Sequence, residues 1–421
     1  MSLAIHNIVQ VAGSRQTWKD RVADVTRRHG QLLPILLAKR VLFLVDGSLE
    51  AVDAFTLGRQ CELDFGILET QRLSPDLVTL VDKLGMARVC LGEGFIENAD
   101  TAQERKSNRI SVMTSGTTGL PKVVEHSWDT LNTLVRVRDN RPRFWFVPYQ
   151  PGSYAWYQML CLGAFNAGQD LFCGSSSQPV DSFSEALASG VTAVSSTPTF
   201  WRYAFLNLDP DLIQSSSIET ISLGGETVDQ AILDQVAATF PSASIRHIYA
   251  SSEAGAAIVV TDAKAGFPVS RLTREDGALQ LKVEDGKLFV RSPFTTAAAA
   301  GNPETWVDTG DLVEIRGDRV FFLGREGSSM INVGGMKAVR GEIEAQLLKH
   351  ANVLWAQAYP RKAPFVGMLP AARIVLREPS SDPNHDQAEL ASFLREALPE
   401  HAIPRFWDFI NEIPLKPSFK S

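Results

Sequence analysis

Cysteine is scarce in this 421-residue chain. Four are present, Cys61, Cys90, Cys161 and Cys173, and they show no CxxC pair and no metal-ligand spacing. That excludes a disulfide framework and a cysteine-based metal site. The thiols read as reduced and mostly buried, in a cytoplasmic protein. A surplus of positive charge is also missing: 41 Lys and Arg against 48 Asp and Glu leave a net charge of −7. Such a balance argues against nucleic acid or an anionic membrane as partner. Long apolar runs are absent too. The longest, residues 32–45, is interrupted by Lys39 and Arg40, so no membrane span is expected. No signal peptide opens the sequence, and no internal repeat is visible. What remains is a globular composition, 44% hydrophobic and 21% charged, at a length that suggests two or three domains.

The hydrophobic pattern alternates between strand and helix. Residues 1–40 read as helical. Strands are expected at 41–45, 65–68 and 88–91, with helices at 49–57 and 74–84 between them. After a polar connection at 93–108, helices are expected at 128–137, 154–165, 229–240 and through Trp201 and Phe205. Strands are expected at 144–147, 170–173, 191–195, 220–223 and 245–249. Such alternation implies parallel sheets covered on both faces, and ligands then bind beyond the carboxyl ends of the strands. From residue 279 the period changes to two, with hairpins around Asp285-Gly286 and at 316–319. Residues 324–329, small and flexible, mark a boundary. Beyond it come helices at 341–349 and 386–398 and strands near Ala356 and Ile374.

The most informative stretch is residues 111–126, SVMTSGTTGLPKVVEH. An apolar β-branched run feeds a loop in which Thr114, Ser115, Thr117 and Thr118 surround Gly116 and Gly119, followed by Lys122. The glycines allow positive φ and close backbone approach. Successive exposed N–H groups make an anion-binding concavity. The hydroxyls and the lysine add donors and charge. The reading is a loop that holds the β- and γ-phosphates of a nucleotide. It is not the G-x-x-x-x-G-K-[ST] loop, because its glycines lie too close together.

This string resembles the phosphate loop of the adenylate-forming superfamily, which includes acyl-CoA synthetases, peptide-synthetase adenylation domains and luciferases. One departure is Val123, where those loops usually carry glycine. Four further strings match the family in order. Residues 249–253, YASSE, resemble its adenine and magnesium segment, with Tyr249 stacking on adenine and Glu253 as a Mg²⁺ ligand. Gly224, Gly225 and Glu226 resemble its second adenine-pocket loop. Residues 307–311, VDTGD, match its ribose string, in which Asp311 accepts from both ribose hydroxyls and Arg325 contacts the ribose. Residues 414–420, PLKPSFK, match its C-terminal string, with Lys420 at the catalytic position and Lys416 as competing candidate. Phe419 stands where relatives have glycine. Gly334 and Gly335 fall where the family lines its thiol tunnel. Glu342 and Glu344 open a helix, with a solvated acidic face as the plainer reading.

The resemblance implies an α/β fold of layered sheets and helices with a small β region, plus a small α+β C-terminal domain. The division falls at residues 1–326 and 327–421, with Gly327 or Ser328 as hinge. It also implies two half-reactions. A carboxylate first attacks the α-phosphorus of ATP, with Mg²⁺, giving acyl-adenylate and pyrophosphate. A thiol, of coenzyme A or of phosphopantetheine on an acyl carrier protein, then takes the acyl group. Alternatives are transfer to an amine or hydroxyl, and a degenerate nucleotide-binding scaffold. Amino-acid-activating relatives place an aspartate where Ala155 stands, and no carboxylate lies between Val147 and Asn166. A buried ammonium would have no partner there, so a small acid without an α-ammonium is expected. Tyr149, Tyr154, Trp156 and Trp201 are candidates to line its pocket, or to be core.

Overall fold

The computed structural model describes residues 1–421 apart from 93–94, 98–104, 116–120, 137–140, 176, 252–254, 274–278, 294, 296–301, 303, 328, 364–366 and 415–421. Two largely parallel sheets dominate. One has the order Phe95–Glu97, Met86–Cys90, Arg40–Val45, Asp64–Glu69, Arg109–Ser115, Pro121–His126. Its inner four strands run parallel and its outer two antiparallel. The other has the order Gly255–Val260, Ser244–Ser251, Thr220–Gly224, Ala193–Ser196, Arg143–Val147, Gln169–Cys173, Ile8–Val11, Ser14–Thr17. Here the inner six are parallel, and the edge strands at both ends are antiparallel.

Parallel strands need crossover segments, and these cover the sheet faces. Every residue of Arg40–Val45 and of Asp64–Glu69 is accordingly buried. The helices Ser48–Gln60 and Tyr154–Phe165 lie in a shared layer between the sheets. Residues 51–58 of the first and 156–164 of the second are buried all round, as expected of helices with no solvent face. Val41, Phe43 and Phe65 of one sheet join Val9, Trp145 and Leu171 of the other in one core. Phe55 packs edge-on against Trp128 at 5.4 Å and Trp156 at 6.0 Å. Phe146, the out-of-phase neighbour of Trp145, faces the opposite way. It joins Phe183, Phe200 and Trp201 in the core under the helices Pro179–Ala188 and Pro198–Asn207.

A five-stranded antiparallel sheet follows, in the order Phe267–Pro268, Arg319–Arg325, Val307–Arg316, Lys287–Arg291, Gln280–Glu284. The expected hairpin turns at Asp285 and Gly286, both with positive φ (49° and 72°), the backbone that a two-residue hairpin loop requires. The last sheet, Met336–Val339, Met330–Val333, Gly367–Leu376 and Val353–Ala363 with Phe406–Phe409, has its own core with the helices Arg340–Leu347 and Pro383–Arg395. The α/β architecture with a smaller C-terminal α+β unit agrees with the expectation. No described helix is long and apolar enough to cross a membrane. All four cysteines are free thiols.

Two expected elements differ. Residues 1–40 are not all helical: Ile8–Val11 is a strand pairing in parallel with Gln169–Cys173. Its partner lies some 160 residues away in sequence, so local composition does not reveal it. The expected helix at 128–137 runs only through Trp128–Leu131 before tightening into a 3₁₀ turn, Asn132–Arg136. There Asn132 accepts from Asn166, at 3.1 Å, and Thr133 from Gln158, at 2.7 Å, so side-chain bonds to the neighbouring helix shape the segment.

Close packing of the shared layer generates a test. A Cβ at Gly58 would stand 2.3 Å from Cζ of Phe65. Gly58→Ala must therefore push the ring or the helix aside. We expect a loss of about 1–3 kcal/mol in denaturant unfolding, and an unchanged midpoint would contradict the packing described.

Candidate active site

A cavity of about 1040 Å³ opens beyond the carboxyl ends of the parallel strands. Thr114 borders it from one sheet; Tyr149, Ser195, Gly224 and Tyr249 border it from the other. Asp311, Phe322 and Arg325 close a third side, and Gly341, Glu342 and Ala345 of the C-terminal unit form a lid-side wall. Thr114, Gly224, Gly225, Glu226, Tyr249, Asp311 and Arg325, singled out from four separate strings, thus meet at one place. Lys122 sits directly opposite Thr114 in the antiparallel ladder, which places the two side chains on one face. The Thr114 hydroxyl oxygen is buried without a hydrogen-bond partner among the described residues. The backbone of Ser115 ends the strand Arg109–Ser115. Gly116, Thr117, Thr118, Gly119, Glu253 and Lys420 lie outside the described residues, as do Ser328, Lys416 and Phe419.

Around Asp311 the geometry is well defined. The antiparallel register sets Asp311 opposite Arg325, and Arg325 Nε reaches Asp311 Oδ1 at 3.2 Å. Tyr249 Oη donates to Asp311 Oδ2. The backbone N–H of Asp311 donates to Thr309 Oγ1 at 3.2 Å. Burial, and then the adjacent Asp311 charge, hold the Tyr249 phenol well above its usual range. It stays protonated and keeps donating. One face of Tyr249 is covered by Phe322, stacked at 4.6 Å and 20°.

The neighbouring loop depends on glycine. A Cβ on Gly224 would meet the Ile248 carbonyl oxygen at 2.8 Å, and Gly225 has φ of +80°. Glu226 turns back, and its Oε2 accepts from the Thr199 N–H at 3.1 Å. That N–H belongs to the first turn of Pro198–Asn207, where a carboxylate is favoured by the helix dipole.

Further wall comes from Arg72, Gln150 and Tyr149, and from one face of Tyr154–Phe165: Tyr154, Ala155, Gln158 and Met159. Tyr149 Oη lies 3.1 Å from Ser195 Oγ, and burial pushes its phenol up to about 12. Of the four aromatic candidates, Tyr149 and Tyr154 border the cavity. Trp156 and Trp201 do not. They are buried in the cores on either face of the larger sheet, because strand and helix periodicity turns them inward.

In the C-terminal unit, Gly334 and Gly335 form an exposed turn between Met330–Val333 and Met336–Val339, away from the cavity wall. Gly327 has φ of +80°. The acidic helix face is not simply solvated. Glu342 pairs with Arg316 at 3.2 Å. Glu344 accepts from the Ala358 N–H at 2.8 Å, and burial lifts its carboxyl to about 7, with Glu226 adding to the rise and Arg340 opposing it. Gln158 and Phe322 were not legible as site neighbours, because no motif marks them and only the fold brings them to the cavity. Among the described residues no cluster of three His, Cys, Asp or Glu is set to hold a metal ion.

Residues 62–297 match the family model for the AMP-binding enzyme, and residues 342–420 that for the AMP-binding enzyme C-terminal domain. The D-alanine–D-alanyl carrier protein ligase of Bacillus cytotoxicus is 24% identical over 363 residues, spanning 78% of this chain and 72% of that protein. The 4-coumarate–CoA ligase 1 of Glycine max is 25% identical over 255 residues, 55% of this chain and 83% of that protein. Among solved structures, the anthranilate CoA ligase AuaEII in complex with anthranoyl-AMP superposes with a TM-score of 0.75 at 16% identity, covering 99% of this chain and 93% of that one. The amide bond synthetase McbA from Marinactinospora thermotolerans superposes with a TM-score of 0.69 at 17% identity, covering 99% and 95%.

The Glu344 environment predicts a pH dependence. Its carboxyl titrates higher in the folded chain than in an unfolded one, so the folded state binds the proton more tightly. The stability this adds is complete below the ordinary carboxyl range and is lost as pH rises through about 7. Between roughly pH 5 and pH 8, Tm should fall by a component that Glu344→Gln removes, since the amide oxygen can still accept from Ala358. Parallel Tm profiles for both proteins would refute it.

Proposed function

The chain belongs to the AMP-binding enzyme family and is an adenylate-forming ligase; on that premise we propose that it activates a small carboxylic acid with ATP and passes the acyl group to a thiol, that of coenzyme A or of carrier-protein phosphopantetheine. One observation carries this reading: residues from four distant strings, Thr114, Gly224–Glu226, Tyr249 and Asp311 with Arg325, converge on a single cavity.

In the first step a carboxylate oxygen attacks the α-phosphorus and the bond to pyrophosphate breaks. In the second, sulfur attacks the acyl carbonyl, the thiol proton is lost and AMP leaves. The chain's share is positioning and charge stabilisation. The loop of Thr114, Ser115, Gly116, Thr117, Thr118 and Gly119, with Lys122, would hold the terminal phosphates. The unpartnered Thr114 hydroxyl fits that use. Gly224, Gly225 and Glu226 would border the adenine, with Tyr249 beside it. Asp311 would accept from the ribose hydroxyls, held in place by Arg325 and Tyr249. Mg²⁺ would be held by Glu253 and would neutralise phosphate charge, a task that needs only one or two protein carboxylates. We place the domain division between residues 326 and 327, where one sheet ends and the next begins.

The acid is proposed to lack an α-ammonium. Ala155 borders the cavity on a helix face without a carboxylate, although the carrier-protein relative is a D-alanine ligase. A non-thiol acceptor is the second reading. It is favoured by Gly334 and Gly335 standing away from the cavity and by the likeness to an amide bond synthetase. Pyrophosphate exchange into ATP across a panel of carboxylic acids tests the first step, and product analysis with coenzyme A, holo-carrier protein and amines tests the second. AMP and pyrophosphate are the expected products. ADP and phosphate, or no exchange with any acid, would overturn the reading, and fastest exchange with proteinogenic amino acids would overturn the substrate class.

Lys420→Ala should separate the steps. Losing one preorganised charge in a water-excluded site costs about 10²–10³ in rate, and adenylate formation should bear it. Thioester formation from supplied acyl-adenylate should fall far less. Lys416→Ala should be mild in both. A selective loss in Lys416→Ala alone would transfer the role to that residue.

A further inference from the structure

The acyl end of the cavity contains a hydrogen-bond acceptor that the protein does not use. Gln158 borders the cavity yet is only 4% exposed. Its amide nitrogen donates twice, to Thr133 Oγ1 at 2.7 Å and to Tyr154 Oη at 3.2 Å. Both N–H bonds are therefore spent. The orientation of the amide is fixed independently. Tyr154 Oη already donates its single proton to the Thr130 carbonyl at 3.2 Å, so towards Gln158 it can only accept. Turning the amide over would set two acceptors against each other.

The Gln158 carbonyl oxygen consequently faces away from both partners. It has no hydrogen bond among the described residues, and it is not among the sealed polar atoms. It opens on the cavity. The neighbours on the same helix face that reach the cavity, Tyr154, Ala155 and Met159, carry no charge. A neutral acceptor on an uncharged, partly apolar helix face selects a neutral donor. An ammonium would be left without a counter-charge there, and a carboxylate would be repelled by the carbonyl dipole.

We propose that Gln158 is a specificity-determining residue, and that the acid this enzyme selects carries a neutral hydrogen-bond donor, a hydroxyl or an aromatic amine, on its acyl portion. This rests on the reading of the cavity as the site of acid activation. A site built around an acceptor discriminates against the analogue lacking the donor, because the acceptor is then left unpaired.

The test uses matched pairs on the full chain: benzoate against its monohydroxy and monoamino isomers, and a short aliphatic acid against its ω-hydroxy form. Two readouts are taken, kcat/KM for pyrophosphate exchange and the Kd of each acid by calorimetry in the presence of AMP. The wild type should favour at least one donor-bearing isomer by about 10-fold, the scale of one neutral hydrogen bond. Gln158→Met, similar in shape but without the acceptor, should erase that preference, read as the ratio within each matched pair so that any general loss from its severed bonds to Thr133 and Tyr154 cancels. Equal values across every pair in the wild type, or a preference that survives in Gln158→Met, would overturn the proposal. The wild-type comparison stands even if the variant folds poorly. If no acid supports exchange, the activation reading fails, and the calorimetric pairs still decide the role of Gln158.

Discussion

The burial of one helix, Ser48–Gln60, between two sheets is the constraint on which the site depends. Its residues 51–58 have no solvent face, so each sheet must present an apolar side to it. Phe55 on this helix touches Trp18, Trp128 and Trp156, and such aromatic pairs add about 0.5–1.5 kcal/mol each beyond area burial. The absence of a side chain at Gly58 lets the Phe65 ring approach. With the sheets locked together in this way, the loops beyond their carboxyl ends are brought to a common edge. The cavity is the space between them.

In and beside that space, carboxylates of the same intrinsic chemistry are set to different tasks by their surroundings. Asp311 lies between the Arg325 guanidinium and a phenol kept protonated, and accepts from both. Glu226 is used at a helix N-terminus. Glu344 is enclosed near Glu226 and pushed towards its neutral form. Desolvation and like charge act together on Glu344.

The C-terminal unit takes part in the cavity without sharing a sheet with the rest of the chain. The helix Arg340–Leu347 borders the opening. Farther along, Trp355 and Ile413 pack with Tyr203 of the large unit. Between these contacts a cleft of about 190 Å³ separates Leu348 and Val353 from Arg202 and Gln235.

Much of this was written in the residues themselves. The strand–helix alternation specified parallel pairing under helices, because period and punctuation are local; the division into two sheets came from tertiary pairing. The helix 154–165 was legible at both ends, and the turn at Asp285-Gly286 needed only its two residues. The glycines and hydroxyls after Ile110 pointed to a phosphate-holding loop through backbone freedom and donor chemistry, and the later strings at Gly224, Tyr249 and Asp311 were picked out by their resemblance to the adenylate-forming family. Tertiary structure decided the rest. That Ile8–Val11 is a strand follows from a partner more than 150 residues away. That Trp156 and Trp201 are core while Tyr149 and Tyr154 face the cavity follows from which side of a sheet or helix each occupies. The Gln158 carbonyl oxygen is left over because Thr133 and Tyr154 accept its two N–H bonds, while the Thr130 carbonyl accepts the Tyr154 proton. Local sequence sets conformational preference and chemical type; burial and partner choice are long-range properties, and they decide what each group is left free to do.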